Sequence, residues 1–383
     1  MSSATGLPLD LEALPEIEYA GRAERVADDL AGAECDALLV TDMTNVRWLT
    51  GFTGSAARVL LRPGGVTLLT DGRYARQARD QLRGAGVEAD VVEGRTREAQ
   101  REALVDLVKP VARLGLEAGS VSWAAQRDYA DAFEASALVA TAGLIEAHRQ
   151  VKDTGEVARI EAACDIADAA LADVLHLLSQ GISEVAFALA LEVAMRHLGA
   201  DGPSFDTIVA AGPGAADAHH HPSHRPIQGG ELVICDFGAL VDGYHSDMTR
   251  TFAVGEPSPD QQEMIDVVTA AQRAGVAAVA PGVATTAVDA ACRDLITAAG
   301  FGEEFVHGTG HGVGLVIHED PFLGTTSKGE LATGHVVTVE PGVYRSGLGG
   351  VRVEDTVLVT PAGCRPLTKT SKDHPCLPSP RTT

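Results

Sequence analysis

Four acids stand where an acid is costly. Asp236 follows Leu232-Val233-Ile234-Cys235 and precedes Phe237, and Asp247 lies eleven residues further on, before a run ending at Val254. Glu340 closes the stretch HVVTVE, and Glu354 lies inside GGVRVEDTVLV. A buried carboxylate without a partner is strongly disfavoured. Asp242-Gly243, between Val241 and Tyr244, is a hairpin signal. A two-residue loop there pairs positions whose numbers sum to 485, so Asp247 faces Gly238, two residues from Asp236. Strand alternation then makes Asp236 and Asp247 diagonal neighbours on one face. Like charges so placed require a cation or a shared proton between them.

The stretch His307–Pro321, HGTGHGVGLVIHEDP, places three histidines at spacings of four and seven among four glycines. Glycines allow close backbone approach, and imidazole is a frequent metal ligand. Asp236, Asp247, His311, Glu340 and Glu354 together offer four carboxylates and one imidazole. Such an oxygen-rich set suits Mn²⁺ or Co²⁺ better than a thiolate-seeking Zn²⁺ site. It carries too much negative charge for one divalent ion and suits two, spaced about 3.5–4 Å, which together activate a water for hydrolysis. The blander readings are a hairpin with surface acids, structural histidines in a glycine-rich loop, and an Arg352 salt bridge that satisfies Glu354.

These residues need a scaffold. Up to about residue 145, apolar runs at Asp36–Thr41, Ala57–Leu61, Val66–Thr70, Val87–Val92 and Arg113–Glu117 read as strands. They alternate with helical patterns at Ile17–Ala31, Arg73–Leu82, Thr96–Val108 and Ser122–Phe133. That alternation implies an α/β domain over residues 1–148. Glu146–Gly155 is polar and reads as the connection. Asp153 with Glu156 resembles a capping box, opening a helix that Gly181 ends. A second helix runs from Ser183 to Gly199, a third from Ser258-Pro259 to Pro281, and a fourth from Thr286 to Ala299. Strands are expected at Thr207–Ala211, Glu231–Phe237, Tyr244–Val254, His335–Glu340 and Gly350–Val359. This interleaving implies an α+β domain on an antiparallel sheet over residues 149–370, followed by a disordered tail at 371–383.

Composition narrows the class. The chain has 383 residues, 45% of them apolar, and a formal charge of −23 from 30 basic and 53 acidic residues. That is long enough for two domains, and so acidic a chain is a poor partner for nucleic acid or an anionic membrane. The six cysteines are scattered without a CxxC pair, which speaks against a zinc ribbon or thioredoxin-type site. No signal peptide or bilayer-spanning run is apparent, so a cytoplasmic location is expected.

The order and wording of DFGALVDGYHSDMTRTF, HGTGHGVGLVIHEDP, VEPGVY and VRVEDTVLV resemble the pita-bread metallopeptidases over about residues 155–365. The N-terminal half, with WLTGFTGS, resembles the creatinase-type domain of the aminopeptidase P and prolidase branch. The resemblance implies that Asp236, Asp247, His311, Glu340 and Glu354 bind two metals, Mn²⁺ first and Co²⁺ or Zn²⁺ as alternatives. It implies Glu340 as general base and His219, seventeen residues before Asp236, as the histidine that steadies the transition state. It also implies that His318 contacts the substrate carbonyl or proline, and that Arg352 sits near the substrate and metal shell. Ala218 stands where the family usually has proline, and the run His219-His220-His221 leaves His220 as an alternative to His219.

The expected activity is removal of an N-terminal residue preceding proline from a peptide, that is, an Xaa-Pro aminopeptidase, expected as a homodimer. Its alternatives are an Xaa-Pro dipeptidase (prolidase), a non-peptidase relative of the creatinase kind, and a catalytically inactive binding module of the same fold. All five ligand positions are filled, which argues against the last two.

Overall fold

The computed structural model describes residues 10–373 and 376–377. Two compact units emerge: Ile17–Arg149, and the described residues up to Glu16 joined with those from Gln150 onward.

The first unit is built on a six-stranded mixed sheet. Its strands lie in the order Asp90–Glu93, Gly65–Thr70, Ala57–Arg62, Ala37–Val40, Arg113–Glu117, Ala137–Thr141. Ala57–Arg62 runs antiparallel to both neighbours and the outer pairs are parallel. Ala37–Val40 is apolar at every position and buried throughout, as a central strand covered on both faces requires. Three elements here were not expected. Met43–Thr50 is a helix capped by the Asp42 carboxylate, which accepts from the N–H groups of Thr44 and Asn45. Ala137–Thr141 is an edge strand, and Leu144–Arg149 is a helix that runs into the span Glu146–Gly155 read as a connection. The first helix is shorter than its periodicity suggested, Arg22–Asp29, because Gly21 enters it at φ 75°. The fourth strand is shifted to Asp90–Glu93.

The second unit repeats one arrangement, a helix pair on a sheet. Helices Thr154–Val174 and Glu184–His197 pack on strands Ile208–Ala211, Glu231–Phe237 and Met248–Val254 around one apolar core. Helices Pro259–Ala278 and Thr285–Ala298 pack on a second sheet around another core. That sheet orders Glu319–Leu323, Gly310–Gly312, Val336–Val339, Asp355–Thr360 and Gly363–Pro366. The expected capping boxes form at Asp153/Glu156 and Ser258/Gln261. Gly181, in the left-handed region, closes a 3₁₀ turn that extends the first helix.

The hairpin register follows the turn. Asp242 and Gly243 both have positive φ (44° and 72°), the geometry of a type I′ turn. Val241 pairs with Tyr244, Leu240 with His245, Phe237 with Met248 and Asp236 with Thr249, all summing to 485. The strand expected over Tyr244–Val254 is nevertheless broken at Ser246 and Asp247. The reason lies opposite, at Gly238. A Cβ there would stand 1.8 Å from the Ser246 carbonyl oxygen, so only glycine lets the chains cross so closely.

Likewise, the strand expected over Gly350–Val359 divides into Gly349–Arg352 and Asp355–Thr360, with Glu354 in the gap. Part of the span read as a disordered tail is in fact a strand. Cys376 and Leu377 pair in parallel with Ala253 and Val254, and Leu377 packs against the first core. Residues 374–375 and 378–383 of that span lie outside the described residues. Among the described residues, no helix is long and apolar enough to cross a membrane.

Candidate metal centre and active site

Three of the four acids sit where a ladder is interrupted. Asp247, Glu340 and Glu354 each lie between two strands, while Asp236 lies within Glu231–Phe237. An interrupted strand frees a side chain from strict alternation, so these acids can converge from different elements. Single carboxylate oxygens of Asp236, Asp247 and Glu354 lie within 4.8 Å of one another. His311 Nε2 stands 3.5 Å from Asp247 Oδ2 and 3.2 Å from Glu340 Oε1. Asp247 is thus common to two groups: Asp236 and Glu354 on one side, His311 and Glu340 on the other.

Local structure fixes each member. The His311 strand lies close between two neighbours. A Cβ at Gly310 would stand 2.0 Å from the Thr338 carbonyl oxygen, and one at Gly312 would stand 2.4 Å from that of Asp320. Nδ1 of His311 is 3.0 Å from its neighbour's carbonyl, Gly312 O, and donates to it. Nε2 thereby faces the acids: it donates to Glu340 while the imidazole is charged, as these acids favour, and it is the nitrogen that would offer a lone pair to a cation. Glu354 Oε2 accepts from Thr249 Oγ1 at 2.7 Å, and Glu340 Oε1 from Thr338 Oγ1 at 3.1 Å.

The electrostatics call for a cation. Burial pushes the Asp247 carboxyl well above its ordinary range, and the nearby Glu354 and Asp236 push it further. Glu354 is likewise held well up by burial, then by Glu340 and Asp236. Asp236 is raised by burial, against the pull of Arg352. Burial also works against ionised Glu340, but the hydrogen bond and charge of His311, with the charges of His307 and Arg352, together outweigh it and bring the carboxyl down to about 2. Asp236 Oδ1 and Glu354 Oε1 are buried and have no hydrogen-bond donor. Buried acceptors left bare are rare and costly. Orphaned carboxylate oxygens near the His311 imidazole fit hard or borderline divalent cations.

Arg352 is buried between these acids and a tyrosine. Its guanidinium contacts Asp236 Oδ2, donates from Nε to Thr249 Oγ1 at 3.1 Å and from Nη1 to the Tyr344 hydroxyl at 2.6 Å. The Arg352 salt bridge is therefore made to Asp236, not to Glu354. The Tyr344 hydroxyl lies 2.9 Å from His307 Nε2, while His307 Nδ1 donates to Gly308 O at 2.7 Å. Tyr344 and His307 were not singled out from the sequence. Their signals were VEPGVY and the first histidine of HGTGHG, but nothing in the spacing shows that they meet.

A cavity of about 330 Å³ opens over this centre. Asp236, Asp247, His311, Glu340, Arg352, His219 and His318 line it, with Phe205, Ile208, Ala218, Ile317 and Phe322 as an apolar wall. The His318 ring meets that of His311 edge-on, centroids 4.4 Å apart. Burial, and then the His311 charge, lower the proton affinity of His318. Of the histidine run, His219 faces the cavity. His220 instead bonds through Nε2 to Glu184 Oε2 at 3.0 Å, where Glu184 is 1% exposed and also accepts from Ala211 and Ser223. The two should therefore separate on substitution. His220→Ala is expected to cost roughly 1–3 kcal/mol of stability, because it strips a partner from a buried acid, and to leave turnover per folded molecule intact. His219→Ala should do the reverse. Thermal melts and steady-state kinetics of both variants check the assignment, and equal effects on turnover would overturn it.

Residues 158–361 match the model of metallopeptidase family M24, and residues 22–151 match the creatinase/prolidase N-terminal domain. An uncharacterized peptidase of Bacillus subtilis is 41% identical over 88% of this chain and 95% of its own. The structure of an Xaa-Pro dipeptidase from Bacillus anthracis superposes with a TM-score of 0.90 at 37% identity, covering 94% of this chain and all of its own. An X-Pro aminopeptidase from Thermotoga maritima gives 0.84 at 31%, covering 93% and 100%. The α/β unit is thus a creatinase-type domain, the repeated helix-on-sheet unit is the pita-bread fold, and the chain belongs to metallopeptidase family M24, which implies divalent metal ions.

Proposed function

We propose that this chain is an exopeptidase that hydrolyses the bond between an N-terminal residue and proline, using two divalent ions, Mn²⁺ first. The observation that carries this reading is the pair of ligand groups sharing Asp247, set under a small cavity with an apolar wall. Asp236, Asp247 and Glu354 would hold one ion, and Asp247, His311 and Glu340 the other. Bound there, the ions would supply Lewis acidity towards the scissile carbonyl and the attacking water.

The side chains do the remaining work. An Xaa-Pro bond lacks an amide hydrogen and carries a rigid ring. Phe205, Ile208, Ile317 and Phe322 offer an apolar bed for such a ring. Glu340 is held ionised, so it can take the water proton and return it to the leaving nitrogen of proline. His219 is placed to donate to the developing oxyanion, and His318 to hold the substrate carbonyl or the proline. Arg352 fixes the Asp236 carboxylate from the side opposite its orphaned oxygen.

Two substrate lengths are open to such a site. The aminopeptidase reading takes longer peptides, as the name of the Thermotoga maritima relative suggests. The name of the Bacillus anthracis relative favours dipeptides, and so does a cavity at the small end of ligand sites. All six cysteines are unpaired, which suits a reducing cytoplasm. A homodimer is part of the same proposal.

The test compares a Gly-Pro-type dipeptide with an Xaa-Pro-Xaa tripeptide, each with added Mn²⁺ and with chelator. Turnover of the dipeptide alone selects the dipeptidase, and efficient tripeptide turnover selects the aminopeptidase. Turnover of neither, or turnover indifferent to chelator, would sink the reading in favour of an inactive or non-peptidase relative.

A further inference from the structure

We propose that Asp289 and Arg293, one turn apart on the helix Thr285–Ala298, are positioning residues for His307 and Glu340. Neither side chain lines the Asp236–Glu354 cluster. Asp289 is 1% exposed, and the pair is joined twice, Arg293 Nε to Oδ2 at 2.8 Å and Nη2 to Oδ1 at 3.0 Å. A helix surface pair would end there. This pair instead spends its remaining polar atoms on the loop that enters the site.

Arg293 Nη1 donates to the Phe305 carbonyl at 3.0 Å and Nη2 to the His307 carbonyl at 2.7 Å. The guanidinium also covers the Phe305 ring, 4.0 Å from its centroid. Asp289 Oδ1 accepts from the Thr309 amide at 3.1 Å and from its hydroxyl at 2.9 Å. The loop is therefore held at three successive odd positions, 305, 307 and 309.

What hangs from that loop reaches the reacting end of the cavity by two routes. The His307 ring meets the Tyr344 hydroxyl, which accepts from Arg352, which in turn contacts Asp236. The Thr309 carbonyl accepts the Glu340 amide N–H at 2.7 Å, fixing the backbone from which that carboxylate projects. A rigid, planar five-donor fork is what such multiple anchoring requires, and an ammonium cannot reproduce it. The clamp therefore acts on geometry and leaves the metal-ligating atoms untouched.

This inference rests on the Xaa-Pro reading for its kinetic arm only. Arg293→Met, Arg293→Lys and Asp289→Asn are compared with wild type as full-length, metal-loaded protein. The expected result is a kcat lowered by about 10–100-fold, the usual scale for loss of an orienting partner, with KM within about twofold and metal content unchanged. Arg293→Lys should recover little, because it restores charge but not the fork. Amide hydrogen exchange should quicken at residues 305–310 and at Glu340 and stay unchanged in the Glu231–Phe237 strand. Unchanged kcat with a lowered melting temperature would reduce the pair to an ordinary structural bridge, and full rescue by lysine would leave only a charge effect. Either result overturns the proposal. If wild-type protein cleaves no Xaa-Pro substrate, the proposed function fails by itself. Hydrogen exchange then decides the clamp, and unaltered exchange at 305–310 in all three variants refutes it.

Discussion

Asp247→Asn is expected to abolish turnover and to weaken divalent metal binding more than any other single conservative change in the site. Asp247 belongs to the Asp236–Glu354 oxygen cluster and also stands 3.5 Å from His311 Nε2, so it reaches both groups. Its loss should exceed the roughly 10–100-fold penalty typical of an orienting partner, because on the proposed reading Asp247 serves both ions. The same variant should make the metal-free protein more stable. In the native protein, burial and the neighbouring acids Glu354, Asp236 and Glu340 disfavour the Asp247 charge, and an amide of the same shape carries none of that repulsion. Titration calorimetry with Mn²⁺ and chemical denaturation of the metal-free protein read the two effects. Metal affinity equal to wild type would refute the shared-ligand assignment. Asp236→Ala should likewise abolish turnover and metal binding while leaving the fold largely intact.

The metal-free protein should lose stability as pH rises, and added metal should restore more of it at higher pH. Asp236, Asp247 and Glu354 all have folded-state pKa values above those of an unfolded chain. Between the ordinary carboxylate value and the raised one, the native state holds more protons than the unfolded state. The unfolding free energy therefore falls as pH rises through that window, and the stability is fully present only below it. Glu340 has the opposite sign. Its carboxyl is depressed to about 2, so its contribution is present above the ordinary value and is lost only in strong acid. The three raised acids consequently set the slope on the neutral side. A cation demands its ligands ionised, so binding releases protons and tightens with pH. At a concentration of 100 Kd a ligand contributes about 2.7 kcal/mol. The melting-temperature gain from a fixed Mn²⁺ concentration should thus grow from about pH 5 to about pH 8, with proton release visible in buffers of different ionisation enthalpy. A gain that shrinks with rising pH would exclude this cluster as the metal site.

Much of the scaffold was legible in local pattern. The capping boxes at Asp153 and Ser258 name their own helix starts, because they need only residues three apart. The Asp242-Gly243 turn set a register that runs unbroken in number from Val241–Tyr244 to Asp236–Thr249. The short helices at Met43–Thr50 and Leu144–Arg149 escaped notice because two turns leave little periodicity to read. The strand at Cys376–Leu377 escaped because its pairing with Ala253 and Val254 is more than a hundred residues distant in sequence.

The sequence by itself determined the residue types available to a metal, their order along the chain and the turn that brings Asp236 and Asp247 near one another, since residue chemistry and a tight turn are local facts. Tertiary structure decided the rest. It broke two expected strands at Asp247 and Glu354, because Gly238 admits the Ser246 carbonyl and a separate strand begins at Asp355. It turned Arg352 to Asp236 rather than to Glu354, joined His307 to Tyr344, and chose His219 over His220 for the cavity by spending His220 on Glu184. Each of these depends on which distant group fills the space next to a side chain, and a linear pattern does not encode that.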